Sequence, residues 1–273
     1  MPHDALRRGK YVARKSREPI VVAACRSTRA QLFGRLCSAL YMNTTRLKAA
    51  ASLFAGICLV CSAGCAHYPS GITSRHDIEH TSKSEYHLVV SGLATEDFPA
   101  LSKFPKLYEV DLDRGGTDEQ LEALARIGFS NLTEVVLTAS PQVTDRGIES
   151  LVRVPTLKGL GLRGTSVSDA GCRVIAGQMK LQNVNLPNCP QVTKRGLLAL
   201  AQSETIEYLG FSLSKLTQAD LIQIIGAANR IRYIEIDIVG DADTGLNLPD
   251  LRNAAQARNI MLLNVRNHLA SSL

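Results

Sequence analysis

The stretch GICLVCSAGC, residues 56–65, places Cys58, Cys61 and Cys65 within eight positions, a density that suggests thiolate metal ligands or a disulfide framework. Structural zinc needs four ligands converging on one point. Here Cys58 and Cys61 lie inside an unbroken apolar run, 49–66, and no second closely spaced pair follows. No metal or other cofactor is expected. Five of the seven cysteines (Cys25, Cys37, Cys58, Cys61, Cys65) precede the part of the chain that reads as folded, which keeps only Cys172 and Cys189. That is not the cysteine density of a stapled secreted domain, and both are expected to be structural thiols.

Other stretches imitate chemistry. GLGLRG, 159–164, fits the dinucleotide-binding G-x-G-x-x-G letter for letter. That motif needs its glycines in a loop between strand and helix, whereas Gly159 and Gly161 fall inside an apolar alternation, at its exposed positions. DADTG, 241–245, holds the Asp-Thr-Gly of aspartic proteases, but in a single copy and in an elongated turn, where two carboxylates would have to share a proton. As a calcium loop it has no closing Glu. His76 and His80 have helical spacing inside a polar segment expected to be a tether, a weak metal pair. Histidines after residue 64 cluster near the ends, at 67, 76, 80, 87 and 268. Without a central acid–base histidine, no enzyme is expected.

The cysteines make better sense as part of a leader. From Met42, Arg46 and Lys48 precede the apolar run, and small residues Ser62, Ala63 and Gly64 precede Cys65. This resembles the bacterial lipoprotein signal, and the resemblance implies that Cys65 is lipidated and becomes the N-terminus. Ser62 stands where that family usually has Leu. A retained single span is the rival, since 18 residues approach the ~20 that a membrane crossing takes. Residues 1–41 read as a non-native or disordered basic extension, with translation starting at Met42; the alternative is an organellar transit peptide. Residues 1–64 carry 11 Lys and Arg against Asp4 and Glu18, whereas residues 65–273 carry 20 against 23 acids. The basic character leaves with the leader, so no nucleic-acid partner is expected.

What remains repeats itself. Units begin at Leu107, Leu132, Leu157, Leu181, Ile206 and Ile231, in steps of 25, 25, 24, 25 and 25 residues. Each reads L-x-x-L-x-L, a turn, then an amphipathic stretch, most of them opened by Thr or Ser and carrying Gly147, Gly171 or Gly196. A short strand followed by a helix is expected in every unit, and neither buries its apolar face without stacked neighbours. LQNVNLPNCPQVTKRGLLALA, from Leu181, resembles the cysteine-containing subtype of the leucine-rich repeat family, with Cys189 at that subtype's turn position. Ser140, Thr165 and Ser214 occupy the same place in other units, where a small polar group can bond to the turn backbone. The resemblance implies a right-handed α/β solenoid with parallel strands on the concave face and helices on the convex one. Its expected extent is 86–268, after a polar tether 65–85 and before a tail 269–273. Residues 86–106 should cap it, and a half-unit at Ile260, Leu263 and Val265 should end it. Asp145 and Asp169 are placed to cap helices.

On such a concave face the third strand residues would be Glu109, Glu134, Gly159, Asn183, Tyr208 and Tyr233. The fifth would be Asp111, Val136, Gly161, Asn185, Gly210 and Glu235. The expected binding patch is Tyr208 and Tyr233, with hydroxyls in water, flanked by Asn183, Asn185, Lys158 and Arg232. The reading is a non-catalytic scaffold for a protein partner, held at the cell envelope by a membrane lipid on Cys65. The alternative is an intracellular adaptor or organellar (mitochondrial) assembly factor. Cysteine-containing repeats are similar to substrate-recognition subunits of ubiquitin ligases, but no F-box-like module precedes them here.

Overall fold

The computed structural model describes residues 70–213, 216–239 and 246–268. The leader, Cys65, the Ser214 turn position, the 241–245 stretch and the tail lie outside the described residues. The rest is one nine-stranded parallel sheet in which spatial order equals chain order. The strands are β1 (Ser70–Ile72), β2 (His87–Val90), β3 (Glu109–Asp113), β4 (Glu134–Thr138) and β5 (Gly159–Arg163). They continue as β6 (Asn183–Leu186), β7 (Tyr208–Ser212), β8 (Tyr233–Val239) and β9 (Met261–His268). Between them run α1 (Arg75–His80), a 3-10 helix (Thr95–Lys103), α2 (Asp118–Arg126), α3 (Asp145–Leu151), α4 (Asp169–Gln178), α5 (Lys194–Ala201), α6 (Gln218–Ala227) and α7 (Leu248–Ala257). This is the expected leucine-rich-repeat type of solenoid.

Register follows the repeat: Glu109, Glu134, Gly159, Asn183, Tyr208 and Tyr233 are successive partners across six strands. Between the concave positions, Val110, Val135, Leu160, Val184, Leu209 and Ile234 point inward and are 0–2% exposed. The turn position behaves as the sequence suggests. Ser140 Oγ accepts from Gly116 N at 3.0 Å, Thr165 Oγ1 donates to Leu162 O at 3.0 Å, and Cys189 Sγ donates to Leu162 O at 2.9 Å. Cys172 and Cys189 are free and buried, and burial pushes both thiols upward, away from thiolate.

The solenoid starts earlier than the sequence indicates. Residues 70–85, read as tether, form β1 and α1. Ile72 and Ile78 are 0% and 1% exposed, Ser74 and Asp77 close a capping box, and Lys103 Nζ donates to the carbonyls of Ile78 and Glu79 at the end of α1. Hydrogen bonds from Thr73 and Ser74 hold the Asp77 carboxyl down at about 2. His76 and His80 do lie on one helix, rings 4.0 Å apart, but His80 Nδ1 is engaged with His76 O.

Helix capping is shared between successive units. The side chain that caps from within is Thr144 for α3, Ser168 for α4 and Thr193 for α5. The aspartate that follows reaches forward into the next unit. Asp118 accepts from Thr144 N, Thr144 Oγ1 and Gly147 N at 2.8, 2.6 and 3.0 Å. Asp145 accepts from Ser168 N and Oγ at 2.8 and 2.6 Å; Asp169 accepts from Thr193 N, Thr193 Oγ1 and Gly196 N at 2.7, 2.6 and 3.0 Å. The glycines are there because a Cβ at Gly147 or Gly196 would stand 2.5 Å from the incoming Oδ1, and one at Gly171 would collide with that of Asp145. The series stops where both partners change together. Lys194 replaces the aspartate, Asp220 replaces the glycine, and Lys194 Nζ meets Asp220 Oδ1 at 2.8 Å. Lys194 and the Thr217 donors hold Asp220 at about 2.

Candidate functional site

The concave floor changes character from end to end. At the start are His87, Glu109, Asp111, Asp113 and Glu134, with His87 Nε2 3.5 Å from Glu109 Oε1. Glu109 is 3% exposed, so this acidic end is set into the sheet. Tyr86 and Tyr108 stack beside it, centroids 5.5 Å apart.

Glycines make the middle flat by giving up their volume to a neighbour. A Cβ on Gly159 would stand 3.2 Å from Cγ and Cδ of Glu134, and one on Gly161 would stand 3.3 Å from Cγ1 of Val136. A Cβ on Gly210 would collide with Oδ1 of Asn185. Gly159 is consequently buried and Gly161 half-buried, not exposed as the strand alternation suggests. In all three pairs the longer side chain leans toward the following strand.

Tyr208 leans the same way: its hydroxyl donates to Glu235 Oε2 on β8. It is not in water, as expected from sequence, but committed to a carboxylate over the Gly210 floor. Burial, then the charge and hydrogen bond of Glu235, push this phenol well above its ordinary 10.0. Its neutral form is thus favoured by folding, so its contribution is complete below about pH 10 and lost as pH rises beyond it. Tyr208→Phe should cost about 1–2 kcal/mol at pH 7 and should flatten the fall in melting temperature between pH 9 and 11. An identical alkaline slope in the variant would contradict this.

Of the proposed patch, Asn183, Tyr208 and Tyr233 are consecutive partners on β6, β7 and β8, and Asn185 faces Gly210 on the next row. Asn183 and Arg232 are exposed and Tyr233 is half-buried. Lys158 is exposed but precedes β5, two strands away from β7, and does not join the tyrosines. The row ends on Met261, partner of Tyr233 and 52% exposed. Sequence reading missed two cross-strand links, Tyr208 to Glu235 and Arg163 Nη2 to Asp237 Oδ2 at 4.0 Å. The second spans β6 and β7, and only stacking reveals it. Among the described residues no group of three or more His, Cys, Asp or Glu side chains is arranged to hold a metal ion.

No protein-family model matches the chain, and no curated protein matches it. Among solved structures it is similar to a chain in the crystal structure of the Rad7 and Elc1 complex in yeast. The identity is 15% over 76% of this chain and 67% of that one, with a TM-score of 0.41.

Proposed function

We propose that this protein is a non-catalytic interaction scaffold that holds a protein partner on its concave face and is tethered to a cell-envelope membrane by a lipid on Cys65. The observation that carries the first half is the row Asn183, Tyr208, Tyr233 and Met261. It is a run of polar, amphipathic and apolar side chains across four adjacent strands, bordered by the exposed cation Arg232. Tyrosine offers large contact area at low cost in side-chain freedom, and methionine adapts its shape to what it meets, which suits the buried centre of an interface. Tyr208, fixed by Glu235, supplies a rigid wall, and Tyr233 with Asn183 supplies the contact.

The anchor is supported by the order of small residues, Cys65 and polar chain after the apolar run. Among the described residues no helix is long and apolar enough to cross a membrane.

One preparation tests both halves. Full-length protein is recovered from membranes of its own host after mild crosslinking, and its N-terminal peptide is weighed. An acylated peptide beginning at Cys65 is expected; one beginning before Met42, or cleaved upstream of it, would move the protein to the adaptor or organellar reading. The crosslinked partner should vanish with Tyr233→Ala, a variant that leaves the Tyr208–Glu235 bond alone. An unchanged crosslink would remove the concave patch from consideration.

A further inference from the structure

Because the strands are all parallel, their starts lie along one rim of the solenoid and their ends along the other. The two rims differ in charge. On the rim of strand ends, the first turns of seven of the eight helices carry Asp or Glu, as helix starts favour. Cations there are paired: Arg114 with Asp113, Arg146 with Glu119, Arg163 with Asp237 and Lys194 with Asp220. On the rim of strand starts, the connectors that lead from helix to strand carry the exposed cations Lys106, Arg153, Lys158, Lys180, Arg230 and Arg232. None of these six has a carboxylate partner among the described residues. Against them stand only Glu204 and Glu207; in the first connector Lys83 and Glu85 offset each other, and in the last Arg258 donates to the Ala228 carbonyl.

Aromatic side chains stand on the same rim, nearer β1. Tyr86 and Tyr108 stack there, Tyr108 is 38% exposed, and Phe129 in the next connector is half-buried. This is also the rim at which the chain enters: β1 starts at Ser70, five residues after Cys65, a stretch of at most about 18 Å. We propose that the rim of strand starts lies on the anionic phospholipid headgroups of the membrane that holds Cys65, its cations against phosphates and its tyrosines at headgroup level. The inference rests on the lipid anchor proposed above and adds the orientation of the solenoid and the class of lipid beneath it. The six cations run from the start of β3 to the start of β8, five strand spacings or roughly 24 Å. Residues 65–273 carry 20 Lys and Arg against 23 acids, so attraction to an anionic surface comes from the sidedness of the charge and not from its sum. The strands then rise from the membrane, the rim of helix-capping acids points away from it, and the concave face opens sideways to a partner.

The chain has no tryptophan, so a single introduced one reports its own surroundings. Full-length protein from host membranes is reconstituted into vesicles of brominated zwitterionic lipid, with or without phosphatidylglycerol. It carries Tyr108→Trp on the rim or Ile222→Trp on α6. Quenching of the Tyr108→Trp protein is expected in the anionic vesicles alone, and none is expected for Ile222→Trp. Arg153→Gln, Lys180→Gln and Arg230→Gln together should abolish it, docking weakening about fivefold for each cation removed. Arg173→Gln, Arg195→Gln and Arg252→Gln make the same change of charge on exposed helix positions and should leave it intact. If circular dichroism shows that Tyr108→Trp does not fold, Ser130→Trp in the next connector takes its place. Quenching that is absent, indifferent to lipid charge, or lost equally with both triple variants overturns the inference. So does a rim that captures a soluble oligonucleotide and leaves the vesicles unquenched. The N-terminal mass of the same preparation judges the anchor separately. An acylated Cys65 without quenching overturns the orientation alone, and quenching without acylation keeps the rim contact and removes the anchor.

Discussion

Gly147→Ala is expected to destabilise the solenoid by about 2–4 kcal/mol, although the same change in an ordinary helix interior gains up to about 1 kcal/mol. The new methyl would stand 2.5 Å from Asp118 Oδ1 and 2.8 Å from Leu121 Cδ1. The leucine methyl can rotate aside. The carboxylate cannot do so without releasing Thr144 N, Thr144 Oγ1 and Gly147 N at once, in a place where Asp118 is only 8% exposed. Stripping a buried acceptor from three donors costs more than helix propensity returns. The pair of residues should act as a unit. In an Asp118→Ala background, itself destabilised by a similar amount, Gly147→Ala should cost little more, a departure from additivity that denaturant midpoints would read directly. A single variant as stable as the wild type would mean the carboxylate link contributes nothing.

The second large effect concerns which unit can be removed. Deleting residues 157–180 brings Asp145 against Thr193 and Gly196, a unit that already accepts an aspartate from its predecessor. Deleting residues 181–205 brings Asp169 against Thr217, with Asp220 where a glycine should be, and takes away Lys194, the cation that Asp220 meets. Both deletions remove one strand and one helix, so their losses of apolar burial are alike. The first should yield a shortened, cooperative solenoid; the second faces two carboxylates across a unit boundary and also forfeits about 2–4 kcal/mol of aspartate bonding. Far-ultraviolet circular dichroism and urea melts of the two proteins would separate them. Equal stability would show that unit boundaries are interchangeable and that the aspartates carry no specificity.

Strand positions, helix positions and the turn role of Ser140, Thr165 and Cys189 were legible because a period near 25 repeats them six times, and each copy corrects the reading of the others. The start of the fold was not. β1 and α1 contribute only Ile72 and Ile78 to a stretch otherwise polar, too few apolar residues to display a period, and their burial depends on the units that follow. Asp145 and Asp169 were legible as capping carboxylates, but which helix they serve was not, because a sequence does not say whether a carboxylate bonds backward or forward. What distinguishes the two is the glycine one unit later, cleared to receive the oxygen. Tyr208 was found for its place in the row. Its hydroxyl was misjudged because Glu235 is 27 positions away and becomes a neighbour only when two units stack.

The forward reach of the aspartates gives the chain a direction of assembly. Asp118, Asp145 and Asp169 each belong to the earlier unit and hold the donors that open the next helix. A polypeptide leaving the ribosome or a translocation channel exposes its units in that same order. The end sealed by Ile72, Ile78 and Phe98 emerges first, can be complete before the remainder is made, and offers a prepared acceptor to each helix as it arrives. Growth in the opposite sense would form the donors at Thr144, Ser168 and Thr193 before the aspartates that receive them. At the three boundaries that Asp118, Asp145 and Asp169 span, the acceptor is therefore made before the donors it receives.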